Sequence, residues 1–117
     1  MSDVTFSIVA RSDDGDAWGV AVASKFLAVG NAVPAARAGL GAIATQASAN
    51  VAWKQAGLQL LEHGASAGET VQRLVEADPG RAQRQLGIVD GDGNAATYTG
   101  SECLDWAGGL TTTGAAI

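Results

Sequence analysis

Thr5-Phe6-Ser7-Ile8-Val9-Ala10-Arg11, then the acidic Asp13-Asp14-Gly15-Asp16, then Ala17-Trp18-Gly19-Val20-Ala21-Val22-Ala23-Ser24-Lys25-Phe26: this stretch, running on to Gly30, decides the fold. Phe6, Ile8 and Ala10 share one face of a period-two strand, and Thr5, Ser7, Val9 and Arg11 share the other, which predicts a strand partly covered on both faces. Gly15 tolerates positive φ and the aspartates can bond their own backbone, so a turn follows. Trp18, Val20 and Val22 then resume the alternation, and the pair reads as an antiparallel hairpin. A strand that opens on a hydroxyl this close to the first residue raises a chemical question. Thr5, once made the N-terminal residue, would carry nucleophile and base together: its hydroxyl and its own α-amine.

The rest of the chain reads as layers added to this hairpin. Residues 31–39 contain Pro34 and Arg37, lack a period and read as a loop. Gly41-Ala42-Ile43-Ala44-Thr45-Gln46-Ala47 is small-sided and suits a third strand packed closely under another layer. Asn50 is placed to cap a helix over 51–63, whose Trp53, Ala56, Gly57, Leu60 and Leu61 form one apolar stripe, with Gly64 ending it. Ser66-Ala67-Gly68-Glu69 has the form of a capping box; Val71, Leu74 and Val75 supply the second helix's buried face, and Asp78-Pro79-Gly80 stops it. Residues 85–90, the turn Gly91-Asp92-Gly93 and residues 94–100 predict another hairpin with Leu86, Ile88 and Tyr98 in the core. A further strand is expected within 107–117. The order ββ, β, αα, ββ, β predicts one α+β domain over 1–117, with mostly antiparallel sheet and helices on one side.

Composition narrows the function classes. In 117 residues, 47% hydrophobic with 16 glycines, close backbone packing replaces a large aromatic core, and Trp18, Trp53 and Trp106 are expected to carry unusual weight in it. The net charge of −5 and seven scattered basic residues leave no electrostatic footprint for nucleic acid. The most apolar stretch, 17–33, is broken by Lys25 and Asn31, so no membrane span is expected. Cys103 is the single cysteine, without an internal disulfide partner, and the first residues have no basic leader before an apolar run. A cytoplasmic protein is the expectation.

Several patterns imitate known sites. Gly39-Leu40-Gly41-Ala42-Ile43-Ala44 fits the dinucleotide pattern, yet it precedes a strand instead of opening a helix after one. Asp90, Asp92 and Asn94 begin like a calcium loop, but Ala95 stands where the turn glycine belongs and Ser101 where the bidentate glutamate belongs. No cofactor or metal is expected. His63, the single histidine, ends a helix, where a dipole contact accounts for it. Cys103 has no histidine recognisably placed to activate it and reads as a buried apolar group. Lys25 interrupts an apolar run, as a solvated strand-end residue or as a cation that tunes a nearby amine.

Thr5-Phe6-Ser7-Ile8-Val9-Ala10, Gly19 to Phe26, Ala44-Thr45-Gln46-Ala47, Arg84 to Asp90, Thr99-Gly100, Cys103 and Trp106-Ala107-Gly108 occur in an order that resembles the family labelled domain of unknown function 1028, over nearly the whole chain. That family is grouped with the N-terminal-nucleophile hydrolases. The resemblance implies an αββα sandwich, incomplete at the C-terminus because family members continue beyond this point. It makes Thr5 the nucleophile toward the amide bond of a small molecule or peptide, after removal of residues 1–4. Lys25 would lower the α-amine's affinity for its proton by like-charge repulsion. Backbone amides around Gly39 to Gly41, or the side chains of Gln46 and Asn50, remain open as oxyanion donors. A half-built sandwich would also expose an apolar face and a strand edge, favouring a homo-oligomer. The alternative is a non-catalytic binding or assembly module on the same fold.

Overall fold

The computed structural model of the chain describes residues 4–117. Strands β1 (Thr5–Arg11) and β2 (Trp18–Ser24) pair antiparallel along their whole length, with Thr5 opposite Ser24 and Arg11 opposite Trp18. Between them Ser12 donates to Asp14 Oδ1 (2.5 Å) and accepts from the Ala17 N–H (2.9 Å), which closes the predicted turn. Two four-stranded antiparallel sheets follow from this start. The first has the order β2-β1-β8-β7, where β7 (Thr111–Thr112) and β8 (Ala115–Ala116) are the strand expected near the end, split by a turn at Gly114. The second has the order β3-β4-β5-β6, with β4 (Gly41–Ala47), β5 (Arg84–Asp90) and β6 (Ala95–Thr99) where the patterning places them.

Residues 31–39 are not a loop. A four-residue helix α1 (Val29–Ala32) leads into strand β3 (Pro34–Arg37), which among the described residues pairs only with β4. Pro34 misleads the reading because it occupies the first position of an edge strand, where its missing N–H costs no ladder bond.

Helices α2 (Ala52–Glu62) and α3 (Ala67–Glu76) lie on the second sheet, and the capping box of α3 forms as expected: Ser66 Oγ accepts from the Glu69 N–H and Glu69 Oε2 from the Ser66 N–H, both at 3.2 Å. Asn50 Oδ1 does accept from the Ala52 N–H (3.2 Å), although Val51 is the residue at the helix boundary. A core of Ile43, Trp53, Leu58, Leu61, Val71, Leu74, Leu86 and Ile88 fills the space between helices and sheet. A second core of Val9, Val33, Ala42, Ala44, Val89 and Ala116 joins the two sheets. The fold is therefore α+β, stacked as helices, sheet, sheet.

Phe6 is 67% and Ile8 38% exposed with Ala10 half-buried, whereas Val9 is 1% exposed, so among the described residues both faces of β1 are partly covered and the Thr5/Ser7/Val9/Arg11 face is the better covered. The second sheet approaches that face closely because it offers Ala42, Ala44 and Gly87 there; a Cβ on Gly87 would already lie 3.8 Å from Val9 Cγ2. The tryptophans also divide. Trp53 is buried and Trp18 hydrogen-bonds the Asp90 carbonyl (3.1 Å), while Trp106 is 95% exposed and holds no core together.

Candidate functional site

Thr5 starts β1 where β2 ends at Ser24, where β4 ends at Gln46 and Ala47, where β5 begins at Arg84 and Gln85 and where β6 ends at Thr99. Antiparallel pairing thus gathers side chains from five strands at one end of the two stacked sheets. Thr5 Oγ1 lies 2.8 Å from Ser24 Oγ, and Ser24 Oγ accepts from the Phe26 N–H (3.0 Å). Ser7, one inward position along, donates to Gln46 Oε1 (2.8 Å). Gln46 Nε2 reaches the Thr5 carbonyl (3.2 Å) and Gln85 Oε1 (3.3 Å), and Gln85 Nε2 donates to Thr99 Oγ1 (3.2 Å). A cavity of about 20 Å³ is lined in part by Ser7, Gln46, Gln85, Thr97, Thr99 and Gly109. The result is a row of hydroxyl and carboxamide groups bridging the two sheets, with Thr5 at its end.

Behind this row the chain is pinned by one partly covered ion pair. Asp78 accepts from Asn50 Nδ2 (2.9 Å), Arg84 Nε (3.1 Å) and the Gly80 N–H (2.7 Å), and Arg84 also donates to the Ser48 carbonyl (2.6 Å). These bonds to its ionised form, that from Asn50 foremost, hold the Asp78 carboxyl below its ordinary range. The link ties the end of β4 to the start of β5, on which Gln46 and Gln85 stand. Ala47, between Gln46 and Ser48, has φ +66°, a left-handed conformation that a non-glycine residue adopts at some cost.

Among the sequence candidates, Thr5 lies in this cluster. Lys25 follows Ser24 directly; its side chain is exposed and forms no ion pair among the described residues. Of the open oxyanion candidates, Gln46 is beside Thr5, whereas Asn50 is committed to Asp78 and Ala52, and Gly41 pairs with Asp90 at the far end of β4. Cys103 Sγ contacts the Arg84 carbonyl (3.4 Å). His63 binds its own helix through Nδ1 and the Gln59 carbonyl (2.7 Å), at the rim of an open groove of about 590 Å³ between α2 and α3, so it is not brought to Cys103. Among the described residues no three His, Cys, Asp or Glu side chains converge to hold a metal ion, and no helix is long and apolar enough to cross a membrane. The leading residues 1–3, whose removal with Val4 the threonine chemistry requires, lie outside the described residues. Ser24, Ser7, Gln85 and Thr99 escaped the sequence reading. The register of the first hairpin was the available signal for Ser24, since a turn centred on 12–17 sets Thr5 opposite it.

Two stacked antiparallel sheets with helices on one of them, and a strand opening on Thr5, define an α+β chain that belongs to a family of unknown function, DUF1028, whose model matches residues 5–117. Among solved structures it is similar to the crystal structure of protein SPO2555 from Silicibacter pomeroyi, of the same family, at 37% identity and a TM-score of 0.90. The similarity covers 96% of this chain and 52% of that one, so the chain spans about half the length of that relative. No curated protein matches the chain.

Proposed function

We propose that the chain is an amide-bond hydrolase of the N-terminal-nucleophile type, or the N-terminal part of one, with Thr5 as nucleophile. The observation that carries this reading is the placement of Thr5: the first residue of an internal strand, its hydroxyl 2.8 Å from Ser24 Oγ and its carbonyl held by Gln46. In the reaction Thr5 Oγ attacks the carbonyl carbon of a small-molecule or peptide amide while the freed Thr5 amine takes the hydroxyl proton. That proton passes to the leaving amine as the C–N bond breaks. Water then cleaves the resulting ester and returns the hydroxyl. An α-amine titrates near 7.7 to 8.0, so a large share of it is neutral at physiological pH. Lys25, one residue beyond the Ser24 that pairs with Thr5, would favour that neutral form by like-charge repulsion. In such a protein a second helical layer would cover the bare Phe6/Ile8 face and complete an αββα sandwich.

Val4, which precedes the bond to be cut, is 59% exposed. That bond is also the observation that favours the second reading, a binding or assembly module, because the Thr5 amine is amide-bonded as long as it stands. The test is a chain beginning at Thr5, mixed with p-nitrophenyl acetate and read by intact mass. Acylation on Thr5, absent in Thr5→Ala and in the uncut chain, supports the hydrolase. A Thr5-first chain that stays unacylated across the pH range, or carries its label on Cys103, overturns it.

A further inference from the structure

The geometry points to Gln46 as a positioning residue of the Thr5 site, one whose amide holds the nucleophile's backbone with one N–H, spends the other on Gln85 and has no donor left for an oxyanion. This rests on the hydrolase reading above and adds how the site is held. The Ser7 hydroxyl donates to Gln46 Oε1 at 2.8 Å, and that oxygen can only accept. Its two Nε2 hydrogens therefore face the Thr5 carbonyl at 3.2 Å and Gln85 Oε1 at 3.3 Å. Two N–H bonds meet two acceptors. The opposite amide orientation would set an oxygen against both of those oxygens, so the network itself selects this one.

Gln85, with its oxygen occupied, donates onward to Thr99 Oγ1 at 3.2 Å. The donors thus run one way, from Ser7 through Gln46 and Gln85 to Thr99, and every member fixes the next. At Gln46, its second member, the chain also clamps the backbone of the residue whose hydroxyl is to react. The strand carrying Gln46 is itself held there: Ala47 turns through a left-handed conformation, and the Ser48 carbonyl is bound by Arg84 at 2.6 Å. Such over-determination suits a group that must hold a nucleophile to within a fraction of an ångström.

The experiment uses the Thr5-first chain with p-nitrophenyl acetate, and the intact 117-residue chain for spectroscopy. Gln46→Glu keeps the acceptor for Ser7 but removes both N–H groups. Its acylation rate at saturating ester should fall about ten- to hundredfold with little change in half-saturation, because orientation and not ester binding is lost. Ser7→Ala, a milder change that leaves Thr5 and Gln46 in place, should lower the same rate by a smaller factor. Gln85→Leu separates the roles: a positioning amide loosened on one side slows the reaction, whereas an oxyanion donor gaining a free N–H would speed it. In the intact chain, both Gln46 side-chain protons should exchange slowly with solvent, and Ser7→Ala should restore fast exchange.

A faster Gln85→Leu enzyme, or an unchanged Gln46→Glu rate, overturns the inference. If the Thr5-first chain never acylates, the hydrolase reading fails and the exchange measurement decides Gln46 alone: protected protons support the clamp on Thr5, and freely exchanging ones overturn it.

Discussion

A Cβ built on Gly57 would lie 2.5 Å from Ile43 Cδ1, so α2 meets β4 through the one residue of the helix that has no side chain. Ile43 is fully buried there, and Leu74 and Thr70 of α3 close the same spot at 3.4 and 3.7 Å. The sparse side chains of α2 and β4 are a condition of contact between helix layer and sheet. Gly57→Leu should overpack this junction and cost about 1–3 kcal/mol, read as a lowered urea midpoint with an unchanged slope. A midpoint equal to that of the parent would count against the layered packing.

Asp90 resembles the first ligand of a calcium loop, but its oxygens are already in use. Oδ1 accepts from the N–H groups of Asp92 (3.0 Å) and Asn94 (2.9 Å), and Oδ2 from Asn94 Nδ2 (3.1 Å) and the first N–H of α3, on Ala67 (2.9 Å). Asp90→Ala should strand these donors and cost about 3 kcal/mol. Millimolar calcium should leave the melting temperature of the parent unchanged, and a rise of several degrees would show a metal site instead.

Acid should act through Asp78. Its folded-state carboxyl lies below the ordinary 3.8, Asn50 being the larger cause and Arg84 the next, with burial opposing both. The unfolded chain therefore takes up the proton first, so the contribution of Asp78 is complete above about pH 5 and is lost as pH falls through the folded-state value. Urea midpoints measured from pH 7 downward should drop more steeply for the parent than for Asn50→Ala. Parallel curves would remove Asp78 from the acid response.

Lys25 and Cys103 separate the threonine chemistry from its competitors. In the Thr5-first chain, Lys25→Met should move the pH midpoint of acylation upward, because a positive charge that favoured the neutral amine is gone. Cys103→Ala should leave the rate and the labelled residue unchanged. A midpoint that stays put would reduce Lys25 to an exposed strand-end residue.

Phe6 and Ile8 put an apolar face of β1 in solvent. The 117-residue chain alone should therefore self-associate at micromolar concentration, and Phe6→Ser with Ile8→Thr should restore a monomer in sedimentation velocity. A parent chain that sediments as a monomer across that range would show the face to be harmless.

The elements with a strong local signal were legible in the residues. The alternation of β1 and β2, the small-sided β4, the stripe of α2 and the capping box of α3 each depend on contacts within a few positions, and all formed where the pattern places them. Strand β3 was not legible. Pro34 reads as a break unless the strand is known to lie at a sheet edge, and edge position is a property of the assembled sheet.

The amino-acid sequence by itself determined the α+β class, the first hairpin, the helical pair, the family and Thr5 as the residue to test. Only the tertiary structure decided which face of β1 is the better covered, because alternation divides a strand into two faces without saying which one the other sheet will meet. It alone joined Gln46, Gln85 and Thr99 to the Thr5 and Ser7 strand, and it committed Asn50, His63 and Gly41 to other contacts. The physical reason is that these contacts join residues 14 to 41 positions apart, and their partners are set by strand register and sheet stacking. No local preference of a hydroxyl or a carboxamide specifies that meeting, which arises when small residues let the two sheets close on one another.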